Sequence, residues 1–187
     1  MKPLLHATDT PIQGVQIIQR NPFKDIRGQF SRMFCSRELR ELGWSDPVAQ
    51  VNLSHTVAKG AVRGMHYQMG EAAEVKLVSC IAGHVWDVAL DLRRSSSTYL
   101  RWHAVELSAD NHQALLIPKG VAHGFQVLQA DSTLLYVHSH EYTPHQEAGI
   151  RADDTALAIT WPLEFADWSD RDRALAPIDS LFQSPFS

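Results

Sequence analysis

Two histidine-bearing stretches and one lysine carry most of the chemistry this chain can offer. Arg63-Gly64-Met65-His66-Tyr67-Gln68 is followed by Lys76 and then by Pro118-Lys119-Gly120-Val121-Ala122-His123-Gly124-Phe125. Histidine titrates near neutrality while lysine stays charged, so the set supplies a base for a carbon acid and a cation for the oxyanion that proton removal leaves. A third stretch, Leu134-Leu135-Tyr136-Val137-His138-Ser139-His140-Glu141-Tyr142, aims Tyr136, His138, His140 and Tyr142 at one face if it is extended. A face that polar is poor material for a dry core. It either lines a pocket, where a phenol donates a proton and a ring stacks on a base, or forms a solvent-facing edge, and periodicity does not separate the two.

Side chains with such work need a rigid support, and the dominant pattern of the chain is alternation. Val85, Asp87, Ala89 and Asp91 share one parity and Trp86, Val88, Leu90 and Leu92 the other, the period of a half-buried strand. Similar runs occur at 15–18, 48–53, 61–67, 75–81, 102–107, 114–117, 124–128 and 134–138, separated by turn signals such as Ala58-Lys59-Gly60, Ala82-Gly83 and Ala109-Asp110-Asn111. Many short, evenly spaced strands predict a sandwich or barrel. One early helix is expected over Arg37 to Leu42, capped by Ser36 and ended by Gly43. After Trp161-Pro162 the alternation stops, and this segment is expected to wrap back as turns and a short helix. His66 shares parity with Gly64 and Gln68, leaving Arg63 on the opposite face unless a bulge at Gly64 brings the two together. Taken singly, His66 reads as a histidine satisfied by a backbone carbonyl and Lys76 as an edge charge. Asp172, inside Asp167-Trp168-Ser169-Asp170-Arg171-Asp172-Arg173, reads as part of a solvated turn.

The 187 residues, 44% hydrophobic and 20% charged, fit a single domain over 1–187. A formal charge of −4 without any Lys/Arg run argues against a nucleic acid or membrane surface as partner, and is compatible with a local basic pocket for phosphates. Cys35 and Cys80 lie in no CxxC and form at most one bridge, so a reduced, cytoplasmic setting is expected. Met1-Lys2-Pro3-Leu4-Leu5-His6 is too short an apolar run for a signal peptide, and no segment approaches the roughly 18 apolar residues of a bilayer span. Pro118-Lys119-Gly120-Val121-Ala122-His123 matches half of the cupin metal pattern. The other half needs His-x-His and a glutamate, whereas His66-Tyr67-Gln68 offers one histidine and neither Glu71 nor Glu74 replaces the other. A metal site needs about three protein ligands, so no metal and no cofactor are expected, and His123 is assigned hydrogen bonding inside a pocket.

Taken together, these residues resemble the dTDP-4-dehydrorhamnose 3,5-epimerases of deoxysugar biosynthesis. The similarity runs from Asn21 to Asp172 and includes Phe23-Lys24-Asp25-Ile26-Arg27-Gly28-Gln29-Phe30, Gln50-Val51-Asn52-Leu53-Ser54, the stretch from Gly60 to Gln68, Lys76-Leu77-Val78, the run from Val85 to Arg93, the run from Ile117 to Phe125, and Ile159-Thr160-Trp161-Pro162. The resemblance implies an all-β fold: a double-stranded β-helix, the cupin-like jelly roll, with a short early helix and a C-terminal wrapping segment. It also implies a homodimer working without metal on a nucleotide-diphospho-4-keto-6-deoxysugar, inverting C3 and/or C5. In this reading His66 is the base and Asp172, preferred over Asp170, its partner. Lys76 faces the C4 oxygen, and Tyr136 is the acid on the opposite ring face. Arg27, Arg63, Gln50 and Asn52 hold the diphosphate and sugar, and Phe30 and Tyr142 flank the nucleotide base. Arg32, His123 and Arg171 complete the expected substrate-binding set. Arg32 stands where the family has a glutamate near that base, Glu74 where it has glutamine, Leu100 where glycine is common, and Arg171 where it has lysine. Ala152-Asp153-Asp154-Thr155 lacks the usual aromatic and proline. The competing reading is a sugar-binding cupin-like module without activity, or a metal-dependent cupin enzyme.

Overall fold

The protein is described by a computed structural model covering residues 4–178 and 182–187. Its strands are β1 (Leu5–Asp9), β2 (Gln16–Arg20), β3 (Phe23–Asp25), β4 (Gly28–Phe30), β5 (Gln50–Thr56), β6 (Val62–Gln68), β7 (Lys76–Ala82), β8 (His84–Asp91), β9 (Trp102–Ser108), β10 (Gln113–Ile117), β11 (Val121–Val127), β12 (Ser132–His138) and β13 (Glu147–Gly149). One sheet has the order β1-β2-β10-β7-β12-β5 and the other β13-β6-β11-β8-β9, while β3 and β4 form a separate hairpin. From β5 to β8 and again from β10 to β13 successive strands alternate between the two sheets, the antiparallel jelly-roll arrangement expected. Val78, Cys80, Leu115 and Ile117 of the first sheet meet Val85, Ala89, Leu107 and Phe125 of the second in the core between them.

Strand β8 departs from the half-buried pattern, for it is buried on both faces from Val85 to Asp91 apart from Trp86. The inner face joins the core, and Val88 and Leu90 on the outer face are covered by Ile150, Leu157 and Ile159 of the wrapping C-terminal segment. Asp91 is tolerated there because Arg93, Ser96 and Thr98 all donate to it. The helix α1 (Ser36–Arg40) packs Leu39 with Trp44 against Leu5, Ile18, Leu77 and Leu116 of the first sheet. It starts one residue earlier than expected and ends two earlier. Cys35 takes the N-cap position, and Ser36 lies inside the helix and caps nothing. Gly43, at φ +102°, occupies the left-handed region just past its end. Strand β1 and the β3–β4 hairpin were not expected because each lacks a repeating buried face: β1 buries only Leu5, and every residue of the hairpin strands is exposed.

Candidate active site

At one end of the sandwich the inward-facing residues turn polar and line a cavity of about 510 Å³, within the usual size range for small-molecule sites. Strand β6 supplies its base by way of a bulge. His66 pairs with His123 and Arg63 with Phe125, so that Gly64 and Met65 together oppose Gly124. Gly64 has φ +110°, and a Cβ there would lie 2.6 Å from Gly124 Cα and 2.7 Å from the His123 carbonyl oxygen, which leaves glycine as the residue that fits. The bulge sends Met65 into the core and turns both Arg63 and His66 toward the cavity.

The partner of that histidine comes from the far end of the chain. A parallel bridge between Val62 and Trp168 brings the wrapping segment alongside β6, and the short helix α2 (Asp170–Arg173) follows. Ser169 caps this helix by accepting from the Asp172 amide. Asp172, 4% exposed, accepts from His66 Nε2 at 2.7 Å and from the Gly64 amide at 3.2 Å. Burial pushes the Asp172 carboxyl up, but the hydrogen bonds and charge offered by His66 and Gly64 outweigh it and hold the group below the usual carboxylate range. It is therefore ionised at neutral pH and fixes the imidazole tautomer, leaving the lone pair on Nδ1. The side chain of Asp170 points to open solvent, so Asp172 is the one of the two that meets His66.

Lys76 opens β7 and is 8% exposed, not the free edge charge that its strand position alone suggests. Its ammonium lies 3.2 Å from Glu74, whose other oxygen lies 2.8 Å from His138 Nδ1. On β12 the Tyr136 ring stands edge-on to His123 and parallel to His138, with 5.8 Å between centroids in both cases. Burial, reinforced by the charge of Asp87, raises the Tyr136 phenol well above its ordinary value, so it keeps its proton across the working range. His123 Nε2 lies 2.9 Å from Asp87, the buried hydrogen-bonding role expected of it. At the mouth, Glu147 accepts from Tyr142 at 2.6 Å and pairs with Arg171. Among the described residues, no three His, Cys, Asp or Glu side chains are gathered as a metal site.

The family model for dTDP-4-dehydrorhamnose 3,5-epimerase matches residues 9–180. A relative of that name from Escherichia coli (strain K12) is 39% identical over 181 residues, covering 96% of this chain and 97% of the relative. The chain belongs to the dTDP-4-dehydrorhamnose 3,5-epimerase family. Among solved structures, the family's enzyme from Bacillus anthracis with TDP and pyrophosphate bound superposes with TM-score 0.90 at 34% identity, covering 93% of this chain and 99% of that one. The dTDP-6-deoxy-D-glucose-3,5-epimerase of Legionella pneumophila in complex with dTDP-4-keto-L-rhamnose gives TM-score 0.88 at 39% identity, covering 92% of each chain.

Within this epimerase-family fold, His66, Asp172, Lys76, Tyr136, Arg63, Asn52, His123, Tyr142 and Arg171 all line the one cavity. Gln50 lines an adjoining recess of about 200 Å³ together with Asn52, Gln68, Glu74, His138 and Tyr142. Three expected substrate-binding residues lie outside both. Arg27 pairs with Asp25 at the tip of the exposed β3–β4 hairpin, and Phe30 is exposed on the same hairpin. Arg32 turns to Glu38 of α1, which also accepts from the Leu4 and Leu5 amides. Of the four residues of shared parity, Tyr136 and His138 reach the cavity from β12 and Tyr142 from the segment after it, whereas His140 folds onto the neighbouring Glu141 carbonyl after the strand has ended. Of the acidic residues of the lining, Glu147 was not expected, and Glu74 was weighed only as a metal ligand and as a departure from the family's glutamine. Glu74 had a usable signal: it stands two residues before Lys76 and so shares its parity.

Proposed function

We propose that this protein epimerises a nucleotide-diphospho-4-keto-6-deoxysugar of the dTDP-4-keto-6-deoxyglucose type at C3 and C5. The observation that carries this reading is a carboxylate-held base, His66–Asp172, in the same cavity as a buried ammonium and a protonated phenol. A proton α to a ketone is weakly acidic in water, so its removal needs a base with the correct tautomer and a positive group at the oxygen that gains charge. His66 Nδ1 takes the C–H proton, and Asp172 stabilises the imidazolium that forms. Lys76 faces the enolate oxygen at C4. Tyr136 then donates its phenolic proton to the other face of the ring, which inverts the carbon; solvent restores both groups. Arg63 and Arg171 supply guanidinium forks for the diphosphate, with Asn52, Gln50 and His123 around the sugar and Tyr142 against the nucleotide base. Proton NMR in D2O tests the reaction directly. Deuterium should enter both C3 and C5 of dTDP-4-keto-6-deoxyglucose with a chelator present; exchange at one carbon alone would refute double inversion, and failure at both carbons, or activity that depends on an added metal, would refute the reading.

A homodimer belongs to the same proposal. The exposed hairpin bearing Arg27 and Phe30, together with the exposed Val51 and Leu53 on edge strand β5 and Val57 just past its end, supports a pairing in which the hairpin of one protomer completes the cavity of its partner. Such a dimer should show complementation. Arg27→Ala and His66→Ala chains, each weak alone, are expected to regain activity when refolded together, because half the sites of a mixed dimer are then intact. No regain in a mixture shown to exchange subunits would mean that each chain uses its own hairpin. A cytoplasmic setting is supported by the free thiols Cys35 and Cys80. No helix among the described residues is long and apolar enough to cross a membrane.

Arg32 bears on nucleotide choice. Because its guanidinium is engaged by Glu38, Arg32→Ala is expected to leave the ranking of dTDP over UDP, GDP and CDP unchanged in calorimetric titrations. A changed ranking would assign Arg32 to base recognition despite that pairing.

A further inference from the structure

Glu74 and His138 take no part in the proton transfers just described, yet they stand directly behind Lys76. Glu74 is 8% exposed and divides its carboxylate between Lys76 Nζ at 3.2 Å and His138 Nδ1 at 2.8 Å. The His138 ring lies against Tyr136 with 17° between planes, and its Nε2 is 3.4 Å from the Asn52 amide, which in turn bonds to Gln50. A hydrogen-bonded row, buried at Lys76 and Glu74 and half-buried at His138, Asn52 and Gln50, thus runs from β7 through β12 to β5. Because the Glu74 carboxylate can only accept, His138 donates its Nδ1–H to it.

An ammonium at this depth without a counter-ion gives up its proton more readily, because burial disfavours the charged form. A carboxylate devoted wholly to it would cancel the charge that the enolate needs. Sharing Glu74 between Lys76 and His138 lies between these limits. Burial pushes the Glu74 carboxyl up, but the hydrogen bonds and charges of His138 and Lys76 outweigh that and carry it below its ordinary value, so Glu74 is anionic at neutral pH.

We propose that Glu74 and His138 are positioning residues: Glu74 keeps the Lys76 ammonium charged and directed at the carbonyl-oxygen end of the cavity, and His138 fixes Glu74 while bracing the Tyr136 ring. One row then sets both the oxyanion cation and the proton donor. This rests on the reaction assigned above. Lys76 on β7, Tyr136 on β12 and Tyr142 beyond it adjoin the row, with the neutral Gln50, Asn52 and Gln68; the same cavity also holds Arg63, His66 and Tyr67 on β6, His123 on β11, Glu147 on β13, and Arg171 and Asp172 on α2.

The test compares wild type, Glu74→Gln, Glu74→Asp and His138→Phe by kcat and KM across pH, and follows the lysine 13Cε resonance of Lys76 in the wild type and both Glu74 variants. Glu74→Gln keeps the shape and removes the charge. It is expected to lower kcat by about 10-fold or more with KM within about 3-fold. The alkaline limb of kcat and the Lys76 titration should both move to lower pH by about one unit or more, and Glu74→Asp should restore them. His138→Phe keeps a ring against Tyr136 and loses the bond to Glu74, so its kcat should also fall. A Lys76 resonance that titrates at the wild-type pH in Glu74→Gln, or a loss confined to KM, overturns the role of Glu74. Wild-type kcat in His138→Phe overturns that of His138. A wild-type protein inactive on 4-keto sugars refutes the reaction instead, and leaves the Lys76 titration to decide this inference on its own.

Discussion

His66→Ala is expected to abolish deuterium incorporation at both C3 and C5, with a fall in rate of at least about 10²–10⁴-fold, the usual contribution of a positioned general base. Both carbons flank the same ketone, and of the three cavity histidines, each held by a buried carboxylate, His66 at 2.7 Å from Asp172 is the one assigned as base. Asp172→Asn is the informative companion. It keeps the shape of the site, removes the charge that stabilises the imidazolium and permits the wrong tautomer, so it should approach the loss seen with His66→Ala while leaving nucleotide-sugar affinity nearly unchanged. Exchange that persists at either carbon in His66→Ala would mean that another group, with His123 the nearest candidate by position, takes that proton.

Tyr136→Phe is expected to behave differently: deuterium exchange should survive in part, while net inversion falls by about 10²-fold or more. Returning a proton from His66 to the face it came from regenerates the starting stereochemistry, so inversion requires a donor on the other face. Burial and the charge of Asp87 keep the Tyr136 phenol protonated, which suits a donor and disqualifies it as a base near neutrality. NMR separates the two events, since exchange reports proton removal and product ratio reports delivery. Equal abolition of both in Tyr136→Phe would place Tyr136 in the removal step and undo the division of labour between the ring faces.

The all-β class and most strand positions were legible in the chain, because alternation with turn signals is a local property that each segment carries by itself. The boundaries shifted where local rules yielded to packing. Helix α1 begins at Ser36, the expected cap, with Cys35 in the cap position instead, and β8 is buried on both faces because a distant segment covers its outer side. Strand β1 and the β3–β4 hairpin carried no repeating apolar face and therefore no signal.

For the site, residue types and the resemblance they support were enough to nominate His66, Lys76, Tyr136 and Asp172, since the chemistry of a carbon acid demands a base, a cation and a donor. What the sequence could not decide was geometry. Whether Arg63 joins His66 depended on a bulge at Gly64 that only the pairing with β11 reveals. The choice between Asp172 and Asp170 depended on how a capped turn at Ser169 docks 106 residues away from His66. Arg32 could face either a nucleotide or a carboxylate, and its pairing with Glu38 of α1 is visible only in the folded chain. Glu74 shares the parity of Lys76 in the chain, but its bond to His138 became visible only when β7 and β12 were laid side by side. Periodicity fixes which face a residue shares with its neighbours; contacts between segments far apart in the chain arise only when the sheets close on one another, and those contacts turn a list of reactive side chains into an arrangement that can move a proton.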